Sequence, residues 1–269
     1  MSSEINSIYE TSECKIEHTG SLPKVGFQNI SIPGLTQDIT LTSTSSVITQ
    51  DYYTDHFLEN IDILSDSLSK NKSLKSVELG SGRGLLSLAI KLKFPSIDIT
   101  LIDKNKSAIE LSRNNLNING IKKFNVDFSC FTSSKYRDKS FDLLLSTLPT
   151  LPFNLENVDR KNTLCLDGGS DGLRNLRNLG HNFLSYCKNT GKMFFMANDL
   201  IDIKKLIHEF DQMGIESNII SKRKKYLSET IYTKSLVDNG TICHNRLQGN
   251  PESYYFHTLL IQSEKKFTS

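Results

Sequence analysis

From residue 76 onward, short apolar runs alternate with longer segments in which apolar residues recur at helical spacing. The runs at 76–79, 99–103, 124–128, 141–146 and 191–197 read as strands, bounded by polar or turn residues. Between the first two, Leu85, Leu88, Ala89 and Leu92 fall on one face of a helix over 84–93. A second helix, over 106–117, brings Ile109, Leu116 and Ile118 together and stops at Asn119-Gly120. A third follows the 191–197 run, over 200–213, and further strands are expected at 215–221 and 254–262. Strands separated by helices at this interval predict an α/β fold with a mostly parallel, doubly wound sheet of seven strands and helices on both faces.

The two ends are less regular. Residues 1–45 are rich in Ser, Thr and Asn with Gly and Pro interruptions, and alternation at 27–32 predicts a small hairpin or extended arm. Over 52–68, Phe57, Ile61, Ile63, Leu64 and Leu68 recur at roughly helical spacing. The expected organisation is an N-terminal arm or hairpin over 1–50 and one domain over 51–269, with an insertion at 221–253. That insertion holds Lys222-Arg223-Lys224-Lys225, for which a solvated face is the plain reading.

Composition narrows the picture mainly by exclusion. The 32 Lys+Arg nearly balance the 30 Asp+Glu, so bulk charge favours neither nucleic acid nor an anionic membrane. The first residues lack the basic and apolar blocks of a signal peptide, and no apolar run has the length of a bilayer span. Cys14, Cys130, Cys165, Cys187 and Cys243 are scattered with no Cys-x-x-Cys pair. Reduced thiols in a cytoplasmic protein without a metal site is the expectation, and the oligomeric state stays open.

The stretch from Val77 to Ser87 carries the candidate chemistry. Gly80, Gly82 and Gly84 alternate directly after a strand and before a helix, Glu78 precedes them, and Asp103 ends the next strand. A bare backbone at a strand-to-helix turn lets a ligand approach closely, and a delayed acid suits ribose hydroxyls. A dinucleotide fingerprint needs its third glycine one place later, where Leu85 stands, and Glu78 would repel a pyrophosphate. An ammonium and a sulfonium suit that acid better, which points to S-adenosylmethionine. The expected cofactor contacts are Glu78, Gly80, Ser81, Gly82, Gly84, Asp103 and Lys104.

Glu-x-Gly-x-Gly-x-Gly with an acid ending the second strand resembles the class I, Rossmann-like S-adenosylmethionine-dependent methyltransferases. Phe141-Asp142-Leu143-Leu144-Leu145-Ser146-Thr147-Leu148-Pro149-Thr150 lies where the glutamine N5-methyltransferases of release factors carry Phe-Asp-x-x-x-Ser-Asn-Pro-Pro-Tyr. Downstream, 166–173 resembles that family's Asp-Gly-Gly-x-Asp-Gly-Leu segment, and the likeness spans about residues 74 to 200. It implies an acceptor pocket lined by Thr147, Leu148, Pro149 and Thr150, with Ser146 and Ser129 near the cofactor. Ser129 stands where the family carries an acid toward adenine. Asp127 alternates with apolar neighbours and is expected to face the other way.

The sequence departs from the pattern at the pocket. Thr147 replaces the asparagine, Leu148 the first proline and Thr150 the tyrosine. A hydroxyl has one donor and a shorter reach than an amide, so a two-point grip on a glutamine side chain is lost. Thr147 is the candidate catalytic contact, with a turn hydroxyl as its alternative. Tyr52 and Tyr53 are candidates to close over the site from the arm, Tyr53 as a catalytic residue. Cys243-His244 offers a thiol or an imidazole. The leading expectation is methyl transfer to a nitrogen or oxygen of a small molecule. The alternatives are a protein glutamine methyltransferase, a non-catalytic binding module, or transfer of the cofactor's aminobutyrate arm.

Overall fold

The computed structural model describes residues 26–44, 47, 52–65, 74–129, 134–152, 167–226, 247–250 and 253–266. Two short strands, β1 (Phe27–Ile30) and β2 (Ile39–Thr42), form an antiparallel hairpin. Helix α1 (Tyr52–Glu59) and a 3₁₀ turn (Ile61–Leu64) precede the main unit. That unit runs β3 (Lys75–Leu79), α2 (Leu85–Lys93), β4 (Asp98–Asp103), α3 (Lys106–Ile118), β5 (Asn125–Phe128) and β6 (Phe141–Ser146). It continues with α4 (Arg174–Tyr186), β7 (Cys187–Asn198), α5 (Ile203–Gln212), β8 (Ile215–Tyr226) and β9 (Tyr255–Lys265).

The seven strands lie in the order β5-β4-β3-β6-β7-β9-β8, parallel except that β9 runs antiparallel to both its neighbours. Strand order reverses between β3 and β6, and in an open α/β sheet a ligand crevice lies outside the carboxyl ends at that switch. The period of two along β7 explains how both faces are covered. Phe194 and Met196 join a core with residues of α1 and α2, whereas Met193, Phe195 and Ala197 join one with α4 and α5. Truncating such a fully buried aromatic costs about 3–5 kcal/mol.

Two segments differ from the sequence expectation. No helix is expected between 146 and 191, yet α4 fills that place with Leu176, Leu179, Phe183 and Tyr186 buried. Their spacing is helical, but Asn, Arg and Gly between them dilute the apolar signal. The run Lys222-Arg223-Lys224-Lys225 lies within β8 rather than in a loop, paired with residues 256–259 of β9. Long amphipathic side chains on an edge strand can cover apolar surface while their charges stay wet.

The hairpin is fastened by two asparagines one turn apart, Asn115 on α3 and Asn119 at its C-terminal cap. Asn119 accepts from the Thr40 N–H (2.9 Å) and donates to the Thr40 carbonyl (2.6 Å). Asn115 accepts from the Thr42 N–H (2.8 Å) and hydroxyl (2.7 Å), and its Nδ2 donates to the Arg83 carbonyl (2.9 Å). Side-chain amides thus complete the outer edge of β2, which would otherwise present unpaired backbone groups. Among the described residues no helix is long and apolar enough to cross a membrane.

Candidate active site

The glycine turn takes its shape from contacts on both sides. The Gly80 and Ser81 N–H groups both donate to the Ile102 carbonyl, at 2.9 and 3.2 Å, which pins the turn to the end of β4. Gly84 has φ 77°, and a Cβ there would stand 2.9 Å from the Ser112 Cβ, so α3 can approach only a glycine. Gly82 has φ 51°, and a Cβ there would meet nothing within 4 Å. The turn is therefore tight toward α3 and open on its ligand side.

Asp103 lies against this open turn. One carboxylate oxygen accepts from the Gly82 N–H (2.9 Å) and the other from the Asn105 N–H (2.8 Å). Burial raises its pKa, opposed by those backbone donors and by the Lys104 charge. With about four acceptor sites and backbone donors at Gly82, Asn105 and Lys104, the carboxylate keeps room for a further donor. The Ser129 N–H donates to the Asp103 carbonyl at 3.0 Å, so the half-buried Ser129 stands beside the same corner. Lys104 is exposed. The Ser81 hydroxyl is buried with no hydrogen-bond partner among the described residues. An orphan hydroxyl, an open glycine and a carboxylate with spare acceptor capacity fit a ribose-bearing ligand, and hence S-adenosylmethionine.

Glu78 braces the start of α2 through one of its carboxylate oxygens. Its Oε2 accepts from the Ser87 N–H (3.1 Å) and the Ser87 hydroxyl (2.5 Å), and the residue is only 2% exposed. An acid at the first turn of α2 satisfies one of the unpaired N–H groups there and complements the helix dipole. Ser146 is likewise a structural contact, since its buried hydroxyl donates to the Leu79 carbonyl at 3.0 Å and ties β6 to β3.

The loop after β6 is more enclosed than its sequence suggests. Leu148 is buried in the core beneath α4, and Thr150 is fully buried, so neither side chain lines an open pocket. Thr147 and Pro149 are half-buried. The Thr147 hydroxyl accepts from Thr54 of α1 at 3.5 Å. The Thr150 hydroxyl lies 2.5 Å from the Tyr53 hydroxyl, and Asn198 at the end of β7 donates to both, at 2.5 and 2.9 Å. The Leu200 N–H donates to the Asn198 Oδ1, which fixes the amide orientation. Tyr53 is therefore an interior anchor joining α1, the loop and β7. Tyr52, half-buried, packs edge-on against Tyr53 and Phe256.

The Asp-Gly-Gly segment braces this loop from behind. The Gly168 N–H donates to the Leu151 carbonyl (2.9 Å), and a Cβ on Gly168 would stand 2.8 Å from the Thr150 Cα. Asn175 donates to the carbonyls of Pro149 and Asp167, and Arg174 pairs with Asp167 at 2.9 Å. Asp171 is held by Arg177, which brings its pKa down to about 2. Asp127 faces away from the site, toward Lys135 and Tyr136, as the alternation predicts. Cys243-His244 lies outside the described residues. Sequence reasoning missed Thr54, Asn115 and Asn198. Of these only Asn198 had a signal, as a polar residue directly after an apolar strand in a parallel sheet.

Residues 53–160 match the methyltransferase small domain. The chain is 26% identical over 138 residues to the release factor glutamine methyltransferase of Streptococcus pneumoniae, covering 49% of this chain and 48% of that protein. For the Fusobacterium nucleatum protein of the same name the identity is 29% over 143 residues, covering 49% and 40%. The ribosomal RNA small subunit methyltransferase G of Streptococcus pneumoniae serotype 19F is 26% identical over 98 residues, covering 35% and 41%. The chain thus spans less than half the length of each of these relatives. Among solved structures, YcgJ of Bacillus subtilis superposes with TM-score 0.52 at 14% identity, over 77% of this chain and 98% of that one. A candidate methyltransferase of Bacillus halodurans gives 0.53 at 8%, over 77% and 99%. At these identities the superpositions speak for the fold alone, and they agree with the sheet order. The chain carries a class I, Rossmann-like S-adenosylmethionine-dependent methyltransferase domain.

Proposed function

We propose that this protein transfers a methyl group from S-adenosylmethionine to a nitrogen or oxygen of a small molecule. The observation that carries the reading is the glycine turn, open at Gly82 and flanked by the orphan Ser81 hydroxyl and the Asp103 carboxylate. The cofactor supplies an electrophilic sulfonium methyl. The residues of this chain supply placement, worth up to about 7–11 kcal/mol in favourable intramolecular cases. Asp103 accepts the ribose hydroxyls, Ser81 offers a hydroxyl, and Thr147 with the Pro149 backbone positions the acceptor at the switch between β3 and β6.

The small-molecule assignment is supported by what the loop after β6 lacks. Thr147 is the one half-exposed hydrogen-bonding side chain of the four, since Leu148 is in the core and Thr150 is bound to Tyr53 and Asn198. A glutamine side chain offers both a donor and an acceptor, and this loop does not present a matching side-chain amide. The likeness to release factor glutamine methyltransferases is the observation favouring the second reading, a protein acceptor.

The test is to incubate the protein with methyl-labelled cofactor and either a metabolite extract or a glutamine-containing release-factor peptide. Label in a small molecule, lost in Asp103→Ala, supports the proposal. Label in the peptide instead establishes the protein acceptor. Failure of S-adenosylhomocysteine to bind the wild-type protein sinks both readings.

A further inference from the structure

We propose that Asp55, in the first turn of α1, receives the ammonium of the cofactor's amino-acid end. This inference rests on the S-adenosylmethionine reading and adds a residue that the sequence pattern does not reveal. The amino-acid end of that cofactor is a zwitterion, and its ammonium needs a carboxylate partner. Glu78, the acid nearest the glycines in sequence, is buried, and its Oε2 is already held by two hydrogen bonds from Ser87. Asp103 stands at the end of β4, where the ribose belongs. The remaining acids at this rim are engaged: Asp167 with Arg174, Asp171 with Arg177, and Asp199 with His257.

Asp55 differs from all of them. It is exposed, and its carboxylate makes no hydrogen bond or ion pair with the described residues. Its place in the fold is fixed on both sides. The residue before it, Thr54, reaches Thr147 in the loop after β6, and Tyr53 is locked to Thr150 and Asn198. The first turn of α1 therefore lies beside the carboxyl ends of β6 and β7. From the glycine turn comes Arg83, whose charge acts on the Asp55 carboxyl, as do those of Arg223 and Lys225 on β8. On α1 itself, His56 points into Thr258 and Ser221, and Glu59 pairs with Arg223 at 3.0 Å.

Although Asp55 is exposed, the surrounding protein raises its pKa against the pull of those three cations. Solvent reaches the carboxylate, yet protein takes the place of much of its water, as on the wall of a cleft. A ligand ammonium seated there would restore the lost solvation. The Arg83 guanidinium, buried and donating to the Gln28 Oε1 (3.2 Å), keeps a positive charge near the Asp55 carboxylate, so the pair suits an α-amino acid in charge.

Two probes separate the nucleoside from the amino-acid end: S-adenosylhomocysteine, which has both, and 5′-methylthioadenosine, which lacks the second. Titration calorimetry on the wild-type protein should show a preference for S-adenosylhomocysteine. Asp55→Asn should weaken that ligand about tenfold, the low end for a charge-assisted hydrogen bond because the site is open to water, and leave methylthioadenosine unchanged. Asp55→Glu, which keeps the charge, should recover part of the preference, and melting of the ligand-free Asn variant should match wild type. Equal weakening of both ligands, or of neither, overturns the assignment of Asp55 while leaving the cofactor reading intact. Binding of neither ligand by the wild-type protein overturns the cofactor reading and this inference with it.

Discussion

His56 ties the stability of this fold to pH, and the size of the effect follows from its surroundings. The ring is 1% exposed on the inner face of α1, between Thr258 of β9 and Ser221 of β8. The Thr258 hydroxyl donates to the Arg223 carbonyl (3.3 Å), so it accepts from His56 Nδ1–H (2.7 Å) and leaves Nε2 to accept from Ser221 (2.9 Å). Burial, with Arg223 adding to it, lowers the pKa from 6.5 to about 4. The unfolded chain therefore binds a proton that the folded one refuses, and stability falls as pH drops through the window between those values. The full gap corresponds to about 3 kcal/mol, of which about 2 kcal/mol is lost between pH 7 and pH 5. For a domain of this size that is about 4–8 °C in Tm. Denaturant melts of wild type and His56→Asn across this range measure it directly. The variant keeps a donor toward Thr258 but cannot titrate, so its stability should depend less on pH by about 2 kcal/mol over the interval. Parallel pH dependences in the two proteins, or a His56 titration near 6.5 by NMR, would refute the reasoning.

Two further variants probe the supports of the site. Tyr53→Phe deletes one hydroxyl from the buried Tyr53–Thr150–Asn198 group and should lower unfolding free energy by about 1–2 kcal/mol. S-adenosylhomocysteine affinity should stay within a factor of about two, a change of under half a kcal/mol, and a large loss of affinity at unchanged stability would make Tyr53 a ligand contact instead. Glu78→Gln replaces the charged acceptor at the start of α2 and should cost about 1–2 kcal/mol in chemical denaturation. The ratio of S-adenosylhomocysteine to methylthioadenosine affinity should not move, and a fall in that ratio would return Glu78 to the ammonium.

The central sheet was legible because its inner strands are buried on both faces and read as apolar runs, and because glycine spacing marks a strand-to-helix turn with few substitutes. Gly84 illustrates this, since the Ser112 side chain leaves no room for a Cβ. What escaped the sequence depends on contacts between distant segments. Glu78 and Ser146 stand in the expected places, but whether a polar side chain meets a ligand or a neighbouring backbone group is decided by Ser87 and Leu79. Leu148 and Thr150 are adjacent to the half-exposed Thr147 and Pro149, yet the chain turns them inward. Asn115, Thr54 and Asp55 lie in ordinary helical sequence and acquire meaning only from what they face. The helix α4 was hidden for another reason: its apolar stripe is narrow and several residues between, Asn175, Asn178, Gly180, His181 and Asn182, are poor helix formers.

The two ends of the Asn115 side chain have a consequence for spectroscopy. Its Oδ1 holds the Thr42 amide proton, and its Nδ2 holds the carbonyl of Arg83, between the second and third glycines. An opening motion that releases one end loosens the other. Hydrogen exchange at Thr42, some forty residues upstream in a hairpin outside the matched domain, is thus a native gauge of how firmly the glycine turn is held. It reads that turn without a probe placed on any residue that a ligand would touch.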